Sequence, residues 1–294
     1  MSERALVLGG GGSAGNAWLL GVVAGLADAG VDVAAADLVV GTSAGATAAV
    51  QVTGVPPSAL LQEVLSTPAP RRPRPTTDGG GGGTPPRPAV DHLERTGRII
   101  AAAENAADMR RRMGAAALEL TGDAGDSWSA RWRATVAARL PGYTWPGRAV
   151  LIPAVDARTG EPVVFDRLSG VDVVDAVAAS TSSAYPYSIG EDWYIDGGYR
   201  RNENADLATG STRVLVLSPL GGRTRHPLAW GLQLAAQVDE LRAGGSRVET
   251  ILPDERSLAA FGPNLMDPAT RRPAALAGFE QGRKAAGRVG ASWH

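Results

Sequence analysis

Short apolar runs alternate with amphipathic stretches from the N-terminus onward. Residues 5–8 (Ala-Leu-Val-Leu) form an uninterrupted apolar run, which predicts a strand buried on both faces. Four glycines follow, and then Trp18, Leu19, Val22, Val23 and Leu26 recur at helical spacing until Gly30 closes the segment. Residues 38–40 (Leu-Val-Val) repeat the strand signal, and a second helical stretch begins just after Ser43. This order predicts a mainly parallel sheet with helices on both faces, an α/β/α three-layer fold. In such sheets ligands bind where the strands end, so the glycine-rich turns after both strands are expected on one edge.

Further along, residues 149–155 and 162–165 flank Asp156-Ala157-Arg158-Thr159-Gly160 and read as a hairpin. Residues 171–179 read as a helix, 193–195 as a strand ending in Asp196-Gly197-Gly198, and 213–217 as another buried strand. From Pro227 the chain is mostly helical, with a last strand at 247–252. Residues 98–120 are alanine-rich and predict one helix. Within it Arg110-Arg111-Arg112 reads as a solvated face, with a lipid-headgroup patch as the alternative. Trp128 and Trp132, four apart, share a helical face and read as packing residues, with anchoring at a membrane interface as the alternative. Residues 67–90 hold five consecutive glycines and seven prolines, a composition that sustains neither helix nor strand. They read as a mobile surface insert, with a lid over the crevice as the alternative. The whole chain, 1–294, is expected to be a single domain, with 209–294 as its C-terminal part.

Composition narrows the chemistry. The 294 residues are 44% hydrophobic, ample for a core. With 29 basic and 30 acidic residues the net charge is −1, which leaves no electrostatic footprint for nucleic acid. Cysteine is absent, which excludes disulfides and thiolate catalysis, and three histidines scattered along the chain argue against a histidine metal cluster. No metal or cofactor is expected. No apolar stretch approaches the ~20 residues needed to span a bilayer, so a cytoplasmic protein is expected.

The turn after the second strand is Gly41-Thr42-Ser43-Ala44-Gly45, a GxSxG between strand and helix. Small neighbours permit the sharp turn that exposes a serine hydroxyl at a helix N-terminus, where free amides can stabilise an oxyanion. The first turn, Gly10-Gly11-Gly12-Ser13-Ala14-Gly15, also fits the GxGxxG of dinucleotide folds. The second strand, however, runs into Gly41-Thr42-Ser43 instead of the acidic residue that would hold a ribose. The amides of Gly10, Gly11 and Gly12, with that of Ala44, are instead expected to face an oxyanion beside Ser43.

A nucleophilic serine needs a base. His92 adjoins the insert and His294 is the last residue, which leaves His226, in a polar loop, as the only histidine to consider. Asp196 is the better candidate: it ends a strand, two glycines follow it, and an ordinary aspartate is ionised at neutral pH. The set reads as a Ser43–Asp196 dyad.

The order GGGGSAG at 9–15, GTSAG at 41–45 and DGG at 196–198 resembles the patatin-like phospholipase family. Residues 180–186 and 262–268 are also similar to segments of bacterial members. The resemblance is clearest over 5–208. It implies an α/β/α fold and cofactor-free hydrolysis of lipid acyl esters, with Ser43 as nucleophile, Asp196 as base, Gly10 to Gly12 as oxyanion loop and transient contact with a membrane surface. The family commonly carries Arg or Lys before the last glycine of the first loop. This chain has Ala14 there, so the resemblance implies ester hydrolysis without singling out phospholipids. Arg200 and Arg201 are candidate substitutes for that charge, and Asn202 and Asn204 either hold the aspartate loop or cap the next helix. Two other readings remain at this point: a nucleotide-binding module using the first glycine loop, and a regulatory lipid-binding protein that has lost the chemistry.

Overall fold

Alternation along the central strands sorts their side chains into two cores, one on each face of the sheet. The computed structural model describes residues 3–68, 88–121 and 125–294. Of the insert expected at 67–90, residues 69–87 lie outside the described residues, while 88–90 open a helix, contrary to the expectation for that end. Strands β1 (Arg4–Leu8), β2 (Leu38–Gly41), β3 (Ala149–Asp156), β4 (Pro162–Phe165), β5 (Tyr187–Ile189), β6 (Asp192–Asp196), β7 (Arg213–Leu217) and β8 (Arg247–Ile251) form one sheet in the order 5-6-3-2-1-7-8, with β4 also on β3. Strands 3-2-1-7-8 are mutually parallel, whereas β4 and β6 pair with β3, and β5 with β6, in the antiparallel sense. The sheet is thus parallel where the apolar runs are continuous and antiparallel at one side.

On one face Leu6, Leu8, Val39, Leu215 and Leu217 pack with α1 (Gly12–Asp28), α2 (Ala44–Gly54), α3 (Pro57–Ser66), α7 (Val173–Ser180) and α10 (Arg271–Trp293). On the other, Ala5, Val7, Val40, Val214 and Val216 meet α8 (Leu234–Ala243) and the turn holding Ala205 and Ala208. A third cluster places α4 (Pro88–Ala102) and α5 (Ala106–Leu118) against β3 and β6 through Ile100, Met109, Met113, Val155 and Ile195. The remaining helices are α6 (Gly125–Ala137) and α9 (Glu255–Phe261).

The contact of α1 with α10 is unusually close. A Cβ on Gly21 or Gly25 would stand 2.1 Å from a carbonyl oxygen of α10, and one on Gly278 or Gly282 would lie 2.5 or 2.3 Å from a carbonyl of α1. Glycine at these four positions lets the backbones touch. The contact fixes the N-terminal end of α10 beside that of α1.

Several expectations change in detail. The helix expected over 98–120 is two, because Asn105 accepts a hydrogen bond from the Asp108 N–H and starts α5 afresh. Arg111 and Arg112 pair with Asp108, and Arg110 donates to the Gly160 carbonyl, so the triplet is engaged with the protein. Trp128 and Trp132 stack at 5.9 Å, and the Trp132 indole donates to Ala178 O and Thr181 Oγ1, in keeping with packing. No described helix is long and apolar enough to cross a membrane.

Candidate active site

Ser43 sits between β2 and α2 with φ 52° and ψ −118°. A positive φ costs a side-chain-bearing residue about 1–3 kcal/mol and persists only where the surroundings impose it. Here the Ser43 N–H donates to Ser180 Oγ at 3.0 Å, and the Thr42 N–H to Leu8 O at 3.0 Å. The flanking glycines have no room for a side chain. A Cβ at Gly45 would lie 1.9 Å from Leu8 O, and one at Gly41 would lie 2.5 Å from Gly45 O. The elbow is thus pressed onto the end of β1, and its shape is set by backbone contact. Gly45→Ala is expected to cost at least about 3 kcal/mol, read as a lowered Tm or loss of soluble protein.

Asp196 ends β6, which reaches the site by antiparallel pairing with β3 and by an Asp196 N–H donated to Ser182 O at 3.0 Å. Ser43 Oγ donates to Asp196 Oδ2 at 2.8 Å, while Asp196 Oδ1 accepts the Gly198 N–H at 2.8 Å. Gly197 is forced: a Cβ there would lie 2.1 Å from Pro153 O. The aspartate is only 7% exposed, and burial pushes its carboxyl up from 3.8 to about 6, against the pull of the Gly198 and Ser43 hydrogen bonds. At neutral pH it is largely a carboxylate, held on the serine hydroxyl.

The first glycine turn lies alongside. A Cβ at Gly10 would stand 3.5 Å from Ser43 Cβ and 2.9 Å from Asn202 Oδ1. The Gly10 N–H, expected to face an oxyanion, instead donates to Asn202 O at 3.1 Å; Gly10 anchors the loop to the segment after the DGG. Among the described residues no protein acceptor engages the N–H groups of Gly11, Gly12 or Ala44. Those three amides can serve developing negative charge. The loop is less suited to a nucleotide. Its Ala14 N–H is taken by Leu265 O at 2.9 Å, and Pro219, Leu265 and Met266 pack on Gly11 and Gly12.

The other candidates lie outside the dyad, and Asn204 holds the aspartate loop as one of its two expected roles had it. Asn204 donates to Thr42 Oγ1, Gly197 O and Arg201 O, so it ties the elbow to the aspartate loop. The Asn202 side chain donates to Glu203, a buried carboxylate that also accepts from Ser218 and Gln237 and whose pKa burial raises. Arg200 and Arg201 are tied to Asp206 and Glu240. His226 is bonded to Thr224 and stacked on Trp230 at 6.1 Å, and burial with the nearby Arg225 charge lowers it to about 4. It makes no hydrogen bond to Ser43 or Asp196. His92 contacts Arg95. Among the described residues no cluster of three His, Asp or Glu side chains fits a metal.

Sequence reasoning assigned no role to Ser180, Ser182, Asn16 or Arg271. The first two act through one hydroxyl and one carbonyl, for which a sequence carries no residue-type signal. The last two reach the site from helices far apart in the chain.

No curated protein matches the chain. Among solved structures it is similar to VipD from Legionella pneumophila, at 13% identity and a TM-score of 0.44 over 97% of this chain and 67% of that one. It is also similar to the type III effector ExoU, at 16% identity and a TM-score of 0.34 over 96% of this chain and 53% of that one, so it spans about half of ExoU. The family model for patatin-like phospholipases matches residues 6–209, more than half of the chain and a span that includes both glycine turns, Ser43 and Asp196. With the elbow, the aspartate and the first glycine turn all inside that match, the chain belongs to the patatin-like phospholipase family, a membership that supports lipid hydrolysis as its activity.

Proposed function

We propose that the protein hydrolyses acyl esters of lipids through a Ser43–Asp196 dyad and an acyl-serine intermediate. The observation that carries this reading is the 2.8 Å hydrogen bond from Ser43 Oγ to a buried carboxylate, beside three amides without a protein acceptor. Ser43 Oγ attacks the ester carbonyl carbon as its proton passes to Asp196 Oδ2. The carbonyl oxygen becomes an oxyanion held by the N–H groups of Gly11, Gly12 and Ala44. As the tetrahedral centre collapses, Asp196 returns the proton to the departing alkoxide and the alcohol leaves. Water then gives its proton to Asp196 and attacks the acyl-serine; a second collapse releases the fatty acid and restores the hydroxyl. Each cycle consumes one ester and one water and yields one acid and one alcohol.

The test is incubation of the purified protein with a mixed lipid extract, with released fatty acids identified by mass spectrometry, and with a fluorophosphonate probe. Labelling at Ser43 together with fatty-acid release is expected. An unlabelled Ser43 with no acid released would refute the reading. His226→Ala is expected to keep kcat on p-nitrophenyl butyrate within about threefold of the parent, since His226 touches neither dyad member. A loss beyond a hundredfold would point to a Ser-Asp-His arrangement instead.

A further inference from the structure

We infer that Arg271, on α10 and outside the span matched by the family, is a positioning residue for the oxyanion site, acting through Asn16 to hold the amides of α1 against the amide of α2. The inference rests on the hydrolase reading above.

Asn16, 6% exposed in the first turns of α1, faces both helices at once. Its Nδ2 donates to Ala44 O at 3.3 Å and to Gln51 Oε1 at 3.1 Å. Ala44 is the residue after the nucleophile and supplies one of the three unengaged amides. Asn16 Oδ1 accepts from Arg271 Nη1 at 3.0 Å, and the same nitrogen donates to Ser13 O at 3.3 Å. Ser13 directly follows Gly11 and Gly12, which supply the other two amides. One guanidinium nitrogen and one side-chain amide therefore connect the two arms of the site. An oxyanion stabilised from two arms is sensitive to their spacing, because donors must stand at 2.7–3.1 Å from the oxygen of the transition state.

The setting of Arg271 is otherwise unfavourable, which argues that it does more than pack. It is half-buried, no carboxylate lies within ion-pair distance of it among the described residues, and burial together with Arg139 lowers its pKa against the weaker pull of Glu63. It also places positive charge near the N-termini of two helices, where the dipoles favour anions. That field is a liability in the resting protein and an advantage once negative charge forms on the substrate. Position 14 in the loop is a buried alanine. Among the described residues a cation that contacts this loop, Arg271 on Ser13 O, comes from α10, delivered by the glycine-mediated contact of α10 with α1.

The experiment compares Arg271→Ala, Arg271→Lys and the neighbouring Arg272→Ala, whose parent side chain donates, among the described residues, to Leu65 O. The readouts are kcat and KM on p-nitrophenyl butyrate, the rate of fluorophosphonate labelling, and Tm. Arg271→Ala is expected to lower kcat about 10- to 100-fold with KM held within about twofold, to slow labelling in parallel, and to regain part of kcat on addition of millimolar guanidinium. Arg271→Lys, which keeps the charge but not the planar fork, is expected to lose about three- to tenfold. Arg272→Ala is expected to match the parent. A parent-like kcat in Arg271→Ala overturns the inference, as does a loss carried by KM alone or one that guanidinium leaves untouched. If Arg271→Ala does not fold, a parent-like kcat in Arg271→Lys overturns it. A parent protein inert to both ester and probe would instead refute the hydrolase reading, so the two failures are distinct.

Discussion

Ser43→Ala is expected to lower kcat on a p-nitrophenyl ester by about 10⁴- to 10⁶-fold and to remove fluorophosphonate labelling, with the fold intact. Alanine keeps the backbone and deletes only the atom that attacks. Its φ of 52° would still be strained, so no gain in stability is expected from the change. Asp196→Asn is expected to lower kcat by about 10³- to 10⁴-fold, because an amide at 2.8 Å from Ser43 Oγ can hold the hydroxyl but cannot take its proton. The decisive measurement is the double variant. Residues that act as a unit are not additive, so Ser43→Ala with Asp196→Asn should be no slower than Ser43→Ala alone. Multiplying losses would mean that the two groups act independently, and the dyad would have to be abandoned.

The parts of this site that were legible in the sequence are those whose geometry demands particular residue types within a few positions. Gly41 and Gly45 announce the elbow because any side chain there collides with backbone, and Asp196 is marked by the glycine that Pro153 O compels behind it. The parallel core of the sheet was legible for a similar reason: strands buried on both faces must be apolar at every position, as in residues 5–8 and 38–40. On the antiparallel side the β3–β4 hairpin and β6 were legible, but β5 was not. β5 is three residues long, and the alternation of Tyr187, Ser188 and Ile189 is too short to stand out as a strand. The break at Asn105 was hidden by the alanines on either side, since helical composition outweighs a single capping side chain in a sequence reading. The loss of Gly10 from the oxyanion amides depends on the Asn202 carbonyl, a backbone atom 192 positions away in the chain, and no residue pattern encodes that approach. Arg271 is hidden for the same reason: it becomes visible only once α10 lies on α1.

Asp196→Asn is also expected to stabilise the protein at alkaline pH while it destroys activity. Unfolded, the carboxyl titrates near 3.8; folded, burial pushes it to about 6. Below the lower value both states hold the proton and burial of the carboxyl exacts no electrostatic penalty. Between the two, the folded chain keeps a proton that the unfolded chain has released, so stability falls as pH rises. Above about 6 the deficit is complete and amounts to about 3 kcal/mol, the cost of keeping a carboxylate where water is excluded. Asparagine carries no such cost and can still accept the Gly198 N–H that Oδ1 accepts now. Urea or thermal melts should therefore show Asp196→Asn and the parent close together at pH 4, with the variant ahead by up to about 3 kcal/mol at pH 8, or several degrees in Tm. In the parent, kcat/KM should rise tenfold per pH unit below about 6 and level above it, as the base ionises. Equal stability of variant and parent at pH 8 would mean that the carboxylate is solvated well enough in the fold to keep an ordinary pKa. The rising limb of kcat/KM should then lie near 3.8, so the melts and the rate profile test the same burial by independent routes.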